Sequence, residues 1–374
     1  MLPLFPPFPL GPTTPRSPYE TSHTATQRSA LTLWEFELLH HWILDVADSF
    51  DVSPGFHRAW RDQAIRAALQ HEYLLHVILV LSALHLALTD SPSFTDRHRG
   101  LIVRGCSDAM ATFRKEAEHV TEVNCHALMA FAFLVSVYAF ALAQFDRADH
   151  HDHHCSHQPP PPPHRVDQDQ EHKQQEQNIL DETIGTLVLI KGTVVVGDST
   201  KPLAEASGRP WVANADILAP PLGESASPSE DQDLHRALED LQAWIDHAAR
   251  GRGSGKHQGE EGGGPPTPTP RPITTTTSHQ ALRLLRETLA ANLRSNLRPF
   301  AWPCTLDENY LDLLRARDPT ALLILAHYAV ILVQCRAQWW CAGWGARVIA
   351  GVAELLPEGL AGPLAYPLHV IGRG

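Results

Sequence analysis

The chain has few cysteines, and none of them are spaced as metal-binding or redox pairs. It has six cysteines in 374 residues, and no two of them form a C-x-x-C pair. A disulfide scaffold needs a short chain dense in cysteine, and zinc ribbons need paired ligands. We therefore expect reduced thiols and an intracellular protein.

A block of basic residues is also missing. The chain carries 42 acidic and 30 basic residues, which gives a formal net charge of −12. A phosphate backbone repels such a chain unless its cations are concentrated in one place. We therefore expect this polypeptide to bind DNA only through a further domain.

Motifs for catalysis are missing as well. The sequence has no G-x-S-x-G, no H-E-x-x-H and no glycine-rich phosphate loop that follows a strand. The glycines at residues 262–264 lie in a low-complexity linker. The sequence thus predicts a protein that is not an enzyme, with no catalytic residue and no cofactor in this chain.

One cluster of metal-ligand residue types stands out, the segment HHDHHCSH at residues 150–157. Imidazole and thiolate are zinc and copper ligands, but a functional site needs a scaffold that fixes their geometry. The surrounding sequence is polar and rich in proline and glutamine. We interpret the cluster as linker and predict no metal site.

The remaining sequence is patterned for helices, with no strand alternation and no fixed-period repeat. We predict an all-α, multi-helix bundle with two long disordered insertions. The predicted boundaries follow the changes in composition, and they divide the chain into a leader (1–30), three helical parts (31–145, 179–250 and 279–374), a His/Pro/Gln-rich insertion (146–178) and a Gly/Pro/Thr-rich linker (251–278).

Several helix limits can be predicted from capping chemistry. Thr32 with Glu35, and Thr305 with Glu308, have capping-box spacing, and Asp318 followed by Pro319 is typical of an N-cap and first helical position. We also predict single helices over residues 55–70, 73–89 and 93–119, and one helix from Asp318 to the tryptophans at 339–344.

The stretch 127–145 has no charged residue and is long enough to span a membrane. Ser136, Tyr138 and Gln144 lie among its small alanines, as they do in a helix buried by other helices. We therefore predict a buried helix and no membrane span.

Five motifs resemble one family, in the same order. They are LTLWEFELLHH at 31–41; Trp60 with HEYLLH at 71–76 and LSALHLA at 81–87; LIKGT at 189–193; AHYAVIL at 326–332 with WWCAGW at 339–344; and PLHVIG at 367–372. Together they resemble the regulatory domain of fungal zinc-cluster transcription factors of the sterol-uptake-control type. Lys191 and Tyr366 stand where that family usually has arginine and tryptophan.

The resemblance implies an α-helical regulatory domain that acts in the nucleus, with co-regulators or the transcriptional machinery as partners. It also implies homodimers in some members and a hydrophobic sterol pocket in the best-known branch. The family's N-terminal six-cysteine cluster, which binds two zinc ions and reads DNA, has no counterpart here. Either the gene model is truncated or this is a stand-alone regulatory homologue.

From the resemblance and the low charge of these helices we predict one cavity for a sterol or another rigid lipid. Its predicted lining is Met129, Phe133, Tyr138, His327, Tyr328, Trp339, Trp340 and Trp344. Adjacent helical residues point about 100° apart, so only one of positions 327 and 328 faces the cavity squarely, and His327 is the preferred one. Two alternatives remain open: a scaffold for protein partners, in which the aromatic side chains fill the core, and a membrane or lipid-handling protein.

Overall fold

The computed structural model describes residues 31–50, 59–155, 165–206, 228–251, 272–290, 298–336 and 338–372. These ranges contain helices and turns and no strand, which confirms the all-α prediction. The chain divides into two compact units. The first comprises Met1–Leu142 with Val188–Asn214, and the second Ala143–Leu187 with Ala215–Gly374.

The helices from the first half of the chain have the following bounds: α1 Leu33–His41, α2 Ala47–Ser49, α3 Ala64–Ala68, α4 Glu72–Leu88, α5 Asp96–Arg104, α6 Ser107–Ala117, α7 Cys125–Cys155 and α8 Arg165–Ala206. There are two single-turn π-helical segments. Trp42–Val46 continues directly from α1, and Ala59–Gln63 leads into α3. Helices α7 and α8 run from one unit into the other.

The helices of the C-terminal part are α9 Pro228–Gly251, α10 Pro272–Ala290, α11 Arg298–Thr305, α12 Glu308–Arg315, α13 Pro319–Gln334, α14 Trp344–Leu355 and α15 Ala361–Gly372. A short 3-10 turn, Glu358–Leu360, precedes α15. All of them belong to the second unit.

Two of the three predicted helix starts are confirmed. Thr32 and Glu35 form a capping box at α1, with the Thr32 N–H donating to Oε2 of Glu35 over 2.9 Å. The Asp318 carboxylate accepts from two backbone N–H groups at the start of α13, and Pro319 is the first residue of that helix.

The capping box predicted at Thr305 is wrong. The cap of α12 is Asp307, whose Oδ1 accepts from the Tyr310 N–H over 2.9 Å. The Thr305 hydroxyl instead donates to the carbonyl of Trp302 in the preceding helix. The Asp307 carboxylate, two residues closer to the helix than Thr305, therefore accepts the hydrogen bond that was predicted for the threonine.

The helix predicted over 93–119 is two helices, because the chain turns at Gly105. This glycine has φ +61°, and a Cβ there would lie 2.9 Å from the Tyr138 hydroxyl. Only glycine adopts such a conformation at little steric cost. The segment 55–70 also differs from the prediction, since its described part consists of a π turn followed by the short α3.

The core of the first unit is built on α4 and on an aromatic cluster of four residues. Helix α4 is buried along nearly all of its length. The Trp42 indole N–H donates to the carbonyl of Trp60, and both rings pack with Phe50. Phe133 from α7 completes the cluster, with its ring centroid 5.3 Å from that of Trp60.

Helix α7 contains the charge-free stretch of the sequence. The segment Cys125–Asp146 is long and apolar enough to cross a membrane, and 72% of it is buried inside the protein. Helices α12 and α13 pass the same test only if they are taken as one span bent by 105°. The burial of α7 is that of a core helix, as the sequence predicted.

The predicted insertions are only partly covered by the structure. Helix α7 continues to Cys155 and α8 begins at Arg165, so helical backbone enters the predicted insertion 146–178 from both sides. Residues 156–164 of that insertion, the leader 1–30 and residues 252–271 of the linker lie outside the described residues. The prediction of disorder therefore stays a prediction.

In the second unit α13 is the central helix, and twelve consecutive residues from Ala321 to Leu332 are buried. It packs on α14 so closely that Gly345 has no room for a side chain. A Cβ there would lie 2.6 Å from the Val333 nitrogen and would overlap the Ala329 carbonyl oxygen. Helices α11 and α15 pack on α13 as well.

The single helix predicted from Asp318 to the tryptophans is wrong. Helix α13 ends at Gln334, with Cys335 as its C-cap, and Trp339 and Trp340 lie in the turns that follow. Gly343 has φ +73° and precedes α14, which begins at Trp344. The left-handed glycine ends the turn and lets a new helix start in another direction.

Candidate functional site

A cleft of about 800 Å³ opens in the second unit between α9, α13 and α15. Its volume lies within the range of small-molecule sites, which run from roughly 300 to 1,000 Å³. The sequence predicted a helix that covers α13, but it predicted neither the helix α15 nor the meeting of these helices.

Helix α9 lines the cleft with one face. The lining residues recur at spacings of three and four, as they do on one side of an α-helix. They are Asp233, Arg236, Ala237, Asp240, Leu241 and Trp244. The apolar members give contact area, and the charged members are placed at the edge that faces solvent.

Helix α13 lines the opposite side with His327, Val330, Val333 and Gln334, and Arg336 follows two residues after the helix ends. His327 and Gln334 are seven residues apart, which places them on the same helix face and about 10 Å apart along the axis. The two valines lie between them. The wall of the cleft is therefore apolar with a polar group near each end.

His327 is the most buried polar residue of the cleft, with 1% of its surface exposed. Its Nδ1 lies 2.8 Å from the Leu323 carbonyl oxygen. Because a carbonyl only accepts, Nδ1 carries a proton and donates it. Burial lowers the His327 pKa from 6.5 to about 4, so the ring is neutral at physiological pH. The neutral Nδ1–H form leaves Nε2 as a hydrogen-bond acceptor.

Gln334 provides a second polar group that the protein leaves unsatisfied. Its Oε1 is buried and has no hydrogen-bond partner among the described residues. Buried polar atoms nearly always have a partner, either in the protein or in a bound molecule. The side-chain amide of Gln334 therefore has a hydrogen bond to offer a molecule in the cleft.

The charges around the cleft are unevenly paired. On α9, Arg236 contacts the Asp233 carboxylate over 3.0 Å, and Asp240 lies one turn further along the same helix. On the other side, Arg336 is exposed and forms no ion pair with a described residue. The third wall, from α15, adds Tyr366 and His369.

Of the eight residues predicted to line one cavity, His327 is the one that lines this cleft. Its neighbour Tyr328 points elsewhere, as the 100° offset requires. The Tyr328 hydroxyl donates to the Pro299 carbonyl, and its ring packs against Trp302 with centroids 4.8 Å apart. The preference for His327 over Tyr328 agrees with this geometry.

The three predicted tryptophans are placed against other parts of the second unit. Trp340 is 1% exposed, packs on Phe300 and accepts a hydrogen bond at its carbonyl from Gln144. Trp344 is fully buried, and the Arg347 guanidinium lies 4.7 Å over its ring. Trp339 is half-buried in the turn before them.

The remaining three predicted residues lie in the first unit. Phe133 belongs to the aromatic cluster of that unit, and the Met129 side chain lies beside Gly197 of α8. The Tyr138 hydroxyl lies next to Gly105. Each of these side chains thus has a packing partner within its own unit.

The described residues contain no group of three or more His, Cys, Asp or Glu side chains arranged to hold a metal ion. The predicted His/Cys cluster is only partly described. Residues 150–155 form the end of α7, where the backbone alone is described, and His157 lies outside the described residues.

Sequence reasoning missed the cleft residues of α9 and α15, and also Gln334 and Arg336. The sequence predicted a helix over most of α9. The recurrence of Asp233, Ala237, Asp240 and Trp244 was visible as a helix face, but nothing showed which helix it meets. That information lies in contacts between residues about 90 positions apart.

Each of the two units has a helical core, and the second also has an opening of the size of small-molecule sites. Comparison with known families places part of the chain in a class. Residues 37–156 match the fungal specific transcription factor domain. This range covers most of the helices of the first unit, and the cleft lies outside it.

A second comparison points to a particular relative. Over 135 residues the chain is 27% identical to sterol uptake control protein 2 of Candida albicans. The match covers 35% of this chain and 18% of that protein, so the chain spans less than a fifth of its relative. Both comparisons support the fungal transcription factor regulatory domain that the sequence motifs indicated.

Proposed function

We propose that this chain is the regulatory domain of a fungal transcription factor that responds to a sterol or another apolar ligand bearing a hydroxyl group. The transcription factor family supports the regulatory role, and it is not a family of enzymes. The nucleus is the site of action that this family implies. The proposal of a ligand is based on the cleft around His327.

The supporting observation is the acceptor that His327 presents. The Nε2 lone pair of the neutral His327 ring can accept a hydrogen bond, and a ligand hydroxyl can donate it. The apolar side chains of Ala237, Leu241, Val330 and Val333 provide surface for a rigid hydrocarbon. Each Å² of apolar surface removed from water contributes about 25 cal/mol. One hydroxyl and a rigid hydrocarbon frame are the features of a sterol.

The sequence predicted a pocket with residues from both units, whereas the proposed pocket uses residues of the second unit alone. His327 remains its central residue. The aromatic residues at 328, 340 and 344 support the helices behind the cleft, since each is at most 1% exposed. Met129, Phe133 and Tyr138 become core residues of the first unit in this proposal.

Partners and DNA binding complete the proposal. In this proposal the chain does not hold DNA by itself, because its net charge of −12 repels a phosphate backbone. Ligand binding would alter the surface that co-regulators or a second copy of the chain recognise. The sterol in the name of the Candida albicans relative agrees with the ligand class.

The test is a titration of the purified chain with a fluorescent sterol. We expect saturable binding by the wild type and about fivefold weaker binding by His327→Leu, since a buried hydrogen bond contributes roughly 1 kcal/mol. His327→Gln should recover part of the loss, because the glutamine amide oxygen reaches nearly as far as Nε2.

Tyr328→Phe is the matched control. It removes a buried hydrogen bond from the adjacent residue, but that bond points to Pro299 and away from the cleft. Its sterol affinity should equal that of the wild type.

Folded wild-type protein without saturable binding would instead favour a ligand-free scaffold for protein partners. The observation that favours this second function is the close packing of the predicted aromatic residues.

A further inference from the structure

We infer that the cleft selects an elongated ligand with a hydroxyl at one end and an acidic group at the other, a hydroxylated steroid acid rather than a neutral sterol. This inference rests on the proposed function and specifies the ligand class for the same cleft. It follows from the polar groups at the two ends of the α13 wall.

The first end is His327, which accepts a hydrogen bond from a hydroxyl. The second end, about 10 Å away along the helix, consists of Gln334 and then Arg336. Between them the wall offers Val330 and Val333 and no charge. A ligand that satisfies both ends must be apolar in the middle and polar at both termini.

The chemistry of the second end favours an anion. Arg336 is a permanently charged donor with no described carboxylate paired to it, and an arginine fork matches a carboxylate in two parallel hydrogen bonds. The buried Oε1 of Gln334 is an acceptor, so it does not help to bind a carboxylate, and Arg336 alone carries the preference for an anion. A neutral alkyl end would leave the exposed Arg336 guanidinium bonded only to water.

The acidic residues of the cleft do not cancel this preference. Arg236 lies three residues after Asp233, to which it is paired, and four residues before Asp240 on the same helix. Both spacings bring side chains together, so Arg236 offsets one of the two negative charges that α9 places in the cleft. On the α13 side Arg336 has no such counterpart.

The experiment compares one hydroxysteroid whose side chain ends in a carboxylate with the methyl ester of the same steroid. Both ligands keep the hydroxyl and the apolar frame, and they differ in one charge. Each is titrated into the full chain at low and at high salt by displacement of the fluorescent sterol.

The wild type should bind the acid roughly fivefold more tightly than the ester, because a partly exposed ion pair contributes up to about 1 kcal/mol. High salt should reduce this preference, since screening weakens exposed charge pairs. Arg336→Gln should bind the acid and the ester equally while its affinity for the ester stays unchanged. Arg336→Lys should retain part of the preference.

Arg283→Gln is the matched control for net charge. Arg283 is an exposed arginine of the same unit, paired with Glu287 on α10 and away from the cleft. This variant should keep the full preference for the acid.

Equal wild-type affinity for acid and ester would overturn the inference and leave the proposed function intact. The same holds for a preference that survives in Arg336→Gln. Failure of both steroids to bind would overturn the proposed function itself.

Discussion

Gly345 allows α13 and α14 to pack at their observed distance, and Gly345→Ala tests this directly. An added Cβ would lie 2.6 Å from the Val333 nitrogen and 2.8 Å from its Cγ2, and it would also overlap the Ala329 carbonyl oxygen. Carbon atoms in contact prefer about 3.5–4.0 Å. Two of the three neighbours are backbone atoms, so they cannot rotate away.

The magnitude follows from two opposing effects. Alanine is favoured over glycine inside a helix by about 0.5–1 kcal/mol. Overpacking that forces the backbone to shift costs about 1–3 kcal/mol. We therefore expect Gly345→Ala to lower the free energy of unfolding by about 1–2 kcal/mol.

The control is Gly185→Ala in α8, where a Cβ would meet nothing within 4 Å. There the helix preference acts alone, so the substitution should stabilise by about 0.5–1 kcal/mol. Urea denaturation followed by tryptophan fluorescence measures both changes, and Trp344 next to Gly345 reports on the affected helices. Equal stabilisation by both substitutions would refute the packing argument.

Two further predictions concern buried polar groups. Burial lowers the His327 pKa to about 4, so between pH 6.5 and 4 the unfolded chain binds a proton that the folded chain does not. The free energy of unfolding should therefore fall by about 2 kcal/mol between pH 7 and 5 through His327, as measured by urea denaturation at each pH. The fall should be smaller in His327→Gln. In the control His369→Gln, which changes an exposed histidine, it should equal that of the wild type. Arg298→Met leaves the Asp231 carboxylate without its 2.8 Å ion pair, which should cost about 3 kcal/mol. Arg315→Met, which removes an exposed side chain of α12, should cost under about 1 kcal/mol, and equal losses in the two would contradict the role of burial.

The helical class and most helices could be predicted because their determinants are local. Thr32 and Asp318 accept from N–H groups within three residues, so their roles can be read from short segments. The break at Gly105 could not be predicted in the same way. A side chain at Gly105 would meet the Tyr138 hydroxyl, which is 33 positions away, and that long-range contact is not visible in the segment 93–119.

The cap of α12 shows a different limit. Thr305 and Asp307 are both good N-cap residues, and they stand two positions apart. Which one caps depends on where α11 ends, and the Thr305 hydroxyl is engaged by the Trp302 carbonyl of that helix. When two nearby residues are equally suitable N-caps, the end of the preceding helix determines which of them caps the next one.

For the site, low charge predicted eight cavity residues, and the cleft of the second unit includes His327 from among them. Low charge is equally typical of a cavity wall and of a packed core, so it could not separate His327 from Tyr328 or Trp340. The separation comes from hydrogen bonds. Tyr328 donates its only O–H to Pro299, whereas His327 uses one ring nitrogen within its own helix and keeps the other as an acceptor.

Hydrogen-bonding capacity that the protein leaves unused therefore separates the polar residues of α13 that line the cleft from those that are packed in the core. This criterion selects His327 and Gln334 on α13, and both of them line the cleft. It depends on where each polar atom lies relative to backbone carbonyls of its own and neighbouring helices. Those positions depend on how α9 and α15 pack against α13. The sequence pattern of α13 alone therefore cannot predict which of its polar atoms lack a partner.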